Sequence, residues 1–255
     1  MARKAAGEIV FVTGASSGFG AAIARLYVDA GARVIAAARR ADRLERVARE
    51  LGQSLLPLAL DVTDPVAVRC AFEDLPEPFA AVSILVNNAG LGVDRGPAMT
   101  ARLEDWTEMV NVNVMGVLHC THAALPGMLA RGRGHIVSIS SIAAGASAPG
   151  SVVYGATKAF VSRFSKSLKS DLIATPVRCS VVAPGAAETE FWSVRWEGDE
   201  TRARAAYSGY KALQAEDVAE AVLYATSAPL HVDVTEIELM PHAQGYGPRI
   251  FAREG

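Results

Sequence analysis

The sequence predicts an α/β fold, a doubly wound parallel sheet of about seven strands with helices on both faces. Three observations carry that expectation. Short apolar runs alternate strictly with longer amphipathic ones. The short runs are apolar at nearly every position, as strands covered on both faces are. No linker, repeat or mid-chain shift in composition divides the 255 residues, so residues 1–255 are expected to form one domain.

Residues 8–12, apolar, β-branched and followed by glycine, read as the first strand, and residues 18–30 as a helix stopped at Gly31. A second strand follows at 33–38. The helix 42–51 puts Leu44, Val47, Ala48 and Leu51 on one face and the pairs Asp42/Arg46 and Glu45/Arg49 on the other. Residues 55–60 make a third strand, and Asp64-Pro65 looks like an N-cap with proline at N1, opening another helix. Strands at 82–86, 135–139, 177–182 and 235–239 alternate with helices at 103–131, 151–175 and 216–227.

Composition narrows the function. Lys+Arg 25 against Asp+Glu 27 leaves a net charge of −2, so no basic excess exists to neutralise nucleic-acid phosphates. Cys70, Cys120 and Cys179 are scattered and odd in number, which argues against a disulfide framework or a thiolate metal site. His119-Cys120-Thr121-His122 reads as core or interface, since no carboxylate completes a metal shell. Glu8 and Gly14 interrupt any leader-like apolar region. The uncharged stretch 109–130 holds Asn111, Asn113, His119, His122 and Pro126, which lipid does not favour. A cytoplasmic protein is expected, with no membrane, nucleic-acid or metal partner.

After the first strand comes Thr13-Gly14-Ala15-Ser16-Ser17-Gly18-Phe19-Gly20, and then a helix. Glycines at such a turn let backbone approach a pyrophosphate seated on the helix N-terminus. A tight turn without ligand is the plain alternative. The same residues formally fit GxSxG, a hydrolase elbow, but only thirteen residues precede Gly14, too few for the strand that carries the oxyanion loop. Strand two closes Ala36-Ala37-Ala38-Arg39-Arg40, with two cations where an NAD site places a carboxylate. Guanidinium there suits the 2′-phosphate of NADP(H), although alone the pair reads as a solvated helix start. Asp61-Val62 ends strand three, either as an adenine contact or as a turn.

Tyr154 and Lys158 stand four residues apart on one helix face, and Ser141 lies at the exit of strand five. A phenol titrates near 10, and a neighbouring ammonium lowers that by about 1–3 units, toward the range of a general acid/base. By itself such a pair is usually a surface feature.

Taken together, Thr13-Gly-x-x-x-Gly-x-Gly20, Asn87-Asn88-Ala89-Gly90, Asn113-x-x-Gly116, Ser141, Tyr154-x-x-x-Lys158 and Pro184-Gly185 resemble the short-chain dehydrogenase/reductase (SDR) family. The likeness spans about residues 8–239. The stretch 153–161, Thr189-Glu-Phe191, Val194-Arg195, the residues 236–241 and Arg39 are similar to the NADP-dependent 3-hydroxy acid, or L-allo-threonine (serine), dehydrogenases. Asp94-Arg95-Gly96 and Ala183-Pro184 depart from that subgroup.

The resemblance implies a Rossmann-type fold, an NADP(H) cofactor and four catalytic residues. Tyr154 would exchange a proton with the substrate oxygen. Ser141 would hold that oxygen, Lys158 the ribose hydroxyls, and Asn113 a relay water. Gly14, Ser16, Ser17, Gly18, Phe19, Gly20, Arg39, Arg40, Asp61, Val62, Asn88, Ala89, Gly90, Tyr154, Lys158, Pro184, Gly185 and Thr189 would line the cofactor. Asn87 is expected at its ribose.

Substrate would be chosen by residues 186–215, with Arg195, between Trp192 and Trp196, as a carboxylate ligand or else a surface arginine. A short 3-hydroxy acid, an amino acid alcohol or the matching semialdehyde is the expected substrate. A broader aldehyde/ketone or sulfonate-aldehyde reductase is the alternative, and a non-catalytic NADP-binding sensor the reading from another class. Relatives also imply a homodimer or homotetramer built on the two long helices, and only apolar residues such as Val117 and Leu118 speak for it here.

Overall fold

Strand β1 (Ile9–Thr13) runs between β2 (Arg33–Ala38) and β4 (Ile84–Asn87), parallel to both. With β3 (Leu55–Ala59), β5 (Gly134–Ile139), β6 (Val177–Pro184) and β7 (Glu236–Leu239) the order is β3-β2-β1-β4-β5-β6-β7. All the remaining ladders are parallel too. The chain winds outward from β1 to β3, then crosses to β4 on the other side. That reversal opens a crevice at the carboxyl ends of β1 and β4, where ligands of such sheets bind. The computed structural model describes residues 5–93, 96–246 and 250–252; Asp94 and Arg95, singled out above, lie outside the described residues.

Alternate strand residues serve opposite faces. Val10, Val12, Val34 and Val86 pack against α1 (Gly18–Asp29) and α9 (Ala215–Thr226) through Ile23, Tyr27, Val218 and Val222. Phe11, Ile35, Leu85 and Ile136 meet α3 (Pro65–Glu73) and α5 (Gly116–Ala130) through Val68, Cys120 and Met128. Each fully buried apolar side chain contributes roughly 1.5–3 kcal/mol. Tyr27 also carries a polar tip, and its hydroxyl lies 2.5 Å from Thr226 Oγ1, tying α1 to α9.

Most predicted elements are present with boundaries moved by a residue or two. Helix α1 ends with Gly31 at φ +91°, the left-handed stop expected there. Asp64 caps α3, its carboxylate accepting from the amides of Val66 and Ala67. In α2 (Ala41–Leu51) Asp42 and Arg46 pair at 3.5 Å, whereas Arg49 donates to the Glu45 carbonyl rather than to its carboxylate.

Other expectations need correction. Strands β3 and β7 sit at the sheet edges and alternate in exposure, so the covering of both faces fails there. Pro57, which cannot donate to a ladder, is tolerated in β3 for the same reason. The long helix 103–131 is three pieces: α4 (Leu103–Val110), a π turn at Asn111–Met115, and α5. Helix α6 (Val152–Asp171) stops four residues short of the predicted end. The segment 186–215 carries two helices the sequence did not suggest, α7 (Phe191–Arg195) and α8 (Glu200–Ala205).

Candidate active site

The exits of six strands, β1 to β6, converge on one cleft of about 630 Å³. The turn after β1 is shaped by Gly14 and Gly18, whose φ values of +67° and +51° disfavour side chains. A Cβ at Gly14 would stand 2.9 Å from Ala89 Cα, so the turn presses against the exit of β4. Thr13 and Asn88 stitch the two together. The Thr13 hydroxyl accepts from the amides of Asn88 and Ala89 at 3.0 and 2.9 Å, and Asn88 Nδ2 donates to the Thr13 carbonyl at 2.8 Å. Ser17 caps α1 without a side-chain cap bond, and its hydroxyl instead accepts from Arg40 at 2.7 Å. The helix N-terminus and its amides thus open toward the cleft, the arrangement that seats an anion.

Gly14, Ser16, Ser17, Gly18 and Phe19 all line that space. Gly20 does not. A Cβ there would collide with the Gly14 carbonyl and the Asn88 side chain, so Gly20 serves the close packing of α1 on the glycine turn and Asn88. Arg39 and Arg40 both reach the cleft but differ. Arg40 is engaged, donating to Ser16 at 3.1 Å, to Ser17 and to Glu190 at 3.1 Å, while Arg39 is exposed. Asp61 lines the cleft and is also the turn aspartate of the plain reading, its carboxylate accepting from the amide and hydroxyl of Thr63 at 2.9 Å each. Val62 sits on Gly116, where a Cβ would come within 2.7 Å of Val62 Cγ2, and His119 Nδ1 lies 2.9 Å from the Val62 carbonyl.

Asn88, Ala89 and Gly90 edge the cleft as expected, but Asn87 turns away into the core, donating to Thr121 at 3.0 Å. Asn113 is likewise behind the wall. In the π turn its side chain accepts from the Leu91 amide at 2.8 Å and donates to the Leu91 carbonyl and Thr157 Oγ1. It braces the 90–91 backbone against α6, and a Cβ at Gly90 would lie 3.2 Å from Asn113 Oδ1 and 3.3 Å from Lys158 Nζ.

Ser141, Tyr154 and Lys158 face the same cleft. Ser141 Oγ accepts from the Ala143 amide at 3.1 Å, makes a long 3.4 Å contact to the Pro184 carbonyl and is hydrogen-bonded to the Tyr154 phenol. Burial pushes the Tyr154 phenol up, opposed by its hydrogen bond with Ser141 and by the charge of Arg195. Arg195, which the sequence offered only as a substrate ligand, thus also acts on the phenol. The Lys158 ammonium lies 5.9 Å from the Tyr154 ring centroid, over the ring, and donates to the Ile139 carbonyl at 2.8 Å. Burial pushes Lys158 down to about 8.

Pro184 and Gly185 close the floor, with Gly185 donating to the Leu239 carbonyl at 2.8 Å. Thr189 lies over the glycine turn, 3.6 Å from where a Gly18 Cβ would be. Arg195 is buried rather than on the surface; it donates to the Gly150 carbonyl and stacks 5.3 Å from Trp192. Trp192 and Trp196 stack at 4.7 Å.

Sequence reasoning missed Phe191, Gln244 and Phe251. The Phe191 ring fills the space a Cβ at Gly92 would need and tilts against Tyr154 at 5.3 Å. Gln244 accepts from the Ala186 amide at 2.8 Å, and Phe251 stacks on Tyr210 at 4.3 Å. No local motif marks either C-terminal residue.

The sequence model of the family described as short chain dehydrogenase matches residues 8–200. Sulfoacetaldehyde reductase 2 of Chromohalobacter salexigens is 46% identical, over 94% of this chain and 96% of that protein. NADP-dependent 3-hydroxy acid dehydrogenase YdfG of Salmonella typhi is 44% identical, over 93% and 96%. Among solved structures, the closed form of serine dehydrogenase complexed with NADP+ superposes with a TM-score of 0.91 at 43% identity, covering 93% of this chain and 96% of that one.

Proposed function

The chain belongs to the short chain dehydrogenase family, and from that premise we propose that it is an NADP(H)-dependent oxidoreductase acting on a short 3-hydroxy acid, amino acid alcohol or the matching semialdehyde. What supports the reading most is one convergence: Ser141, Tyr154 and Lys158 share a cleft with a glycine turn, an open helix N-terminus and Arg39.

The cleft fits a dinucleotide. At Gly14 a side chain would meet backbone, and the amides at the start of α1 offer an anion seat. Gly14, Ser16, Ser17, Gly18 and Phe19 would hold the pyrophosphate, Arg39 and Arg40 the 2′-phosphate, and Asp61 and Val62 the adenine. Asn88, Ala89, Gly90 and Lys158 would line the ribose, and Pro184, Gly185 and Thr189 the nicotinamide end. When bound, the dinucleotide supplies the hydride acceptor or donor at nicotinamide C4.

The chain's own residues handle the proton. Tyr154 passes its phenolic proton to the substrate oxygen in reduction and takes it back in oxidation. Ser141 turns its hydroxyl hydrogen toward the same oxygen, stabilising developing negative charge. Arg195, a planar guanidinium with five donors, pairs with the acid group at the other end of the substrate. Lys158 keeps positive charge behind the Tyr154 ring, and Asn113 fixes the 90–91 backbone. The segment 186–215, within a single domain spanning 1–255, sets substrate choice. A sulfonate aldehyde is a second candidate, because guanidinium holds a sulfonate as it holds a carboxylate and a relative bears that name.

Oxidation of NADPH or reduction of NADP⁺ across a panel of short hydroxy acids, serine, allo-threonine, their semialdehydes and a sulfonate aldehyde tests the reading. Turnover of at least one acid-bearing substrate is expected. Turnover confined to neutral aldehydes and ketones would move the protein to the broader reductases, and none at all would overturn the reading. We further propose a cytoplasmic homodimer or homotetramer through α4, α5 and α6, which leave Val110, Leu129 and Phe160 partly exposed. A monomeric mass in solution would contradict it.

A further inference from the structure

Glu190 stands where the substrate segment begins, on the opposite side of the cleft mouth from α2. Its carboxylate lies 2.6 and 2.8 Å from Arg43 Nη1 and 3.1 Å from Arg40 Nη1. Arg40 continues the chain of contacts into the glycine turn, donating to Ser16 at 3.1 Å and Ser17 at 2.7 Å. One network therefore ties residue 190 to α2 and to the N-terminus of α1, bridging about 150 residues of sequence. The hydrogen bonds from Arg43 and Arg40 outweigh burial and hold the Glu190 carboxyl below its ordinary range, so the ion pairs persist near neutrality.

Glu190 is also the N-cap of α7, and its carbonyl accepts from the Val194 amide at 2.9 Å. Thr189, just before it, sits over Gly18, and Phe191, just after it, lies against Tyr154. Anchoring residue 190 thus anchors the strip of chain that covers both the glycine turn and the reacting end.

We propose that Glu190 is a positioning residue, the latch that holds α7 down across the dinucleotide cleft, so that cofactor leaves only after the pairs to Arg40 and Arg43 open. The proposal rests on the NADP(H) reading above. Its rival is that Glu190 competes with the 2′-phosphate for Arg40, which gives effects of opposite sign.

Stopped-flow release of NADPH from the full-length protein separates the two. Glu190→Gln keeps the size and removes the charge. Two partly exposed pairs of this kind predict release about three- to tenfold faster. Added salt should speed release from the wild type more than from Glu190→Gln, because the wild type has the Glu190 pairs to screen in addition to the cofactor's own phosphate contacts. The swap Glu190→Arg/Arg43→Glu should slow release again relative to Glu190→Arg alone. Amide exchange at Val194 without cofactor should be faster in Glu190→Gln. Release that is unchanged or slower in Glu190→Gln, or equally salt-sensitive in both proteins, would overturn the latch. If the wild type binds no NADPH, the functional reading falls, and with it the cofactor role of the latch. The Val194 comparison then still reports whether Glu190 holds α7.

Discussion

The Lys158 ammonium donates to the carbonyl of Ile139 at 2.8 Å, inside the fold and 5% exposed. Burial pushes Lys158 down to about 8, against roughly 10.4 in an unfolded chain. Between those values the unfolded chain binds more protons, so this residue makes stability rise as pH rises through that window. Below the folded value its penalty is constant. The stability difference between wild type and Lys158→Met should therefore change by up to about 3 kcal/mol between pH 7.5 and 10.5. Urea unfolding at both values checks it; an identical difference at the two would remove Lys158 as a buried titrating group.

Arg39 is exposed at the cleft edge, whereas Arg40 is occupied with Ser16, Ser17 and Glu190. Cofactor choice should therefore rest mainly on Arg39. A hydrogen bond to a charged group contributes about 1.5–3 kcal/mol, so Arg39→Asp should shift the NADP-over-NAD ratio of kcat/KM by about 10- to 150-fold. Kinetics with both cofactors read it directly. An unchanged ratio would take Arg39 out of the site.

His135 gives an acid-sensitive core. Ser180 Oγ donates to the Val234 carbonyl at 2.6 Å, so His135 Nε2, at 2.8 Å, donates to Ser180. Its Nδ1 is buried without a partner, and burial first, then Arg178 and Lys169, pushes the imidazole down to about 3. Because the unfolded value near 6.5 is higher, stability is fully present above that and falls as acid is added. Thermal or urea unfolding should show about 2 kcal/mol lost between pH 6.5 and 5 from this residue, and His135→Gln should flatten the slope. An unaltered slope would contradict the assignment.

Arg195 combines structure and recognition, buried against Trp192 and bonded to Gly150. Arg195→Lys keeps the charge and loses the planar fork, so KM for an acid-bearing substrate should rise by about 10-fold or more while turnover of a neutral aldehyde changes little. Equal losses on both substrates would assign Arg195 to packing alone.

The sheet was legible because its central strands are apolar at nearly every position and their exits carry glycine, asparagine and serine. The glycine turn and the Tyr154/Lys158 spacing could be read for the same reason, since each is a local pattern. What escaped was tertiary. Nothing local separates Asn87, spent on Thr121, from Asn88, spent on Thr13. The π turn that buries Asn113 inserts a residue into a helix whose composition does not announce it. The motif cannot show that Gly20 is the glycine packed on the turn and Asn88. Nothing local marks Glu190 as part of a network, because its partners lie about 150 positions away.

The central claim is that Tyr154 moves the proton of an NADP(H)-dependent hydride reaction. Its most direct test is a single turnover, with enzyme preloaded with NADPH and mixed with a short semialdehyde, followed by nicotinamide absorbance. Tyr154→Phe should bind NADPH as the wild type does and turn over about 10²–10⁴-fold more slowly. Turnover by Tyr154→Phe at the wild-type rate would contradict the account.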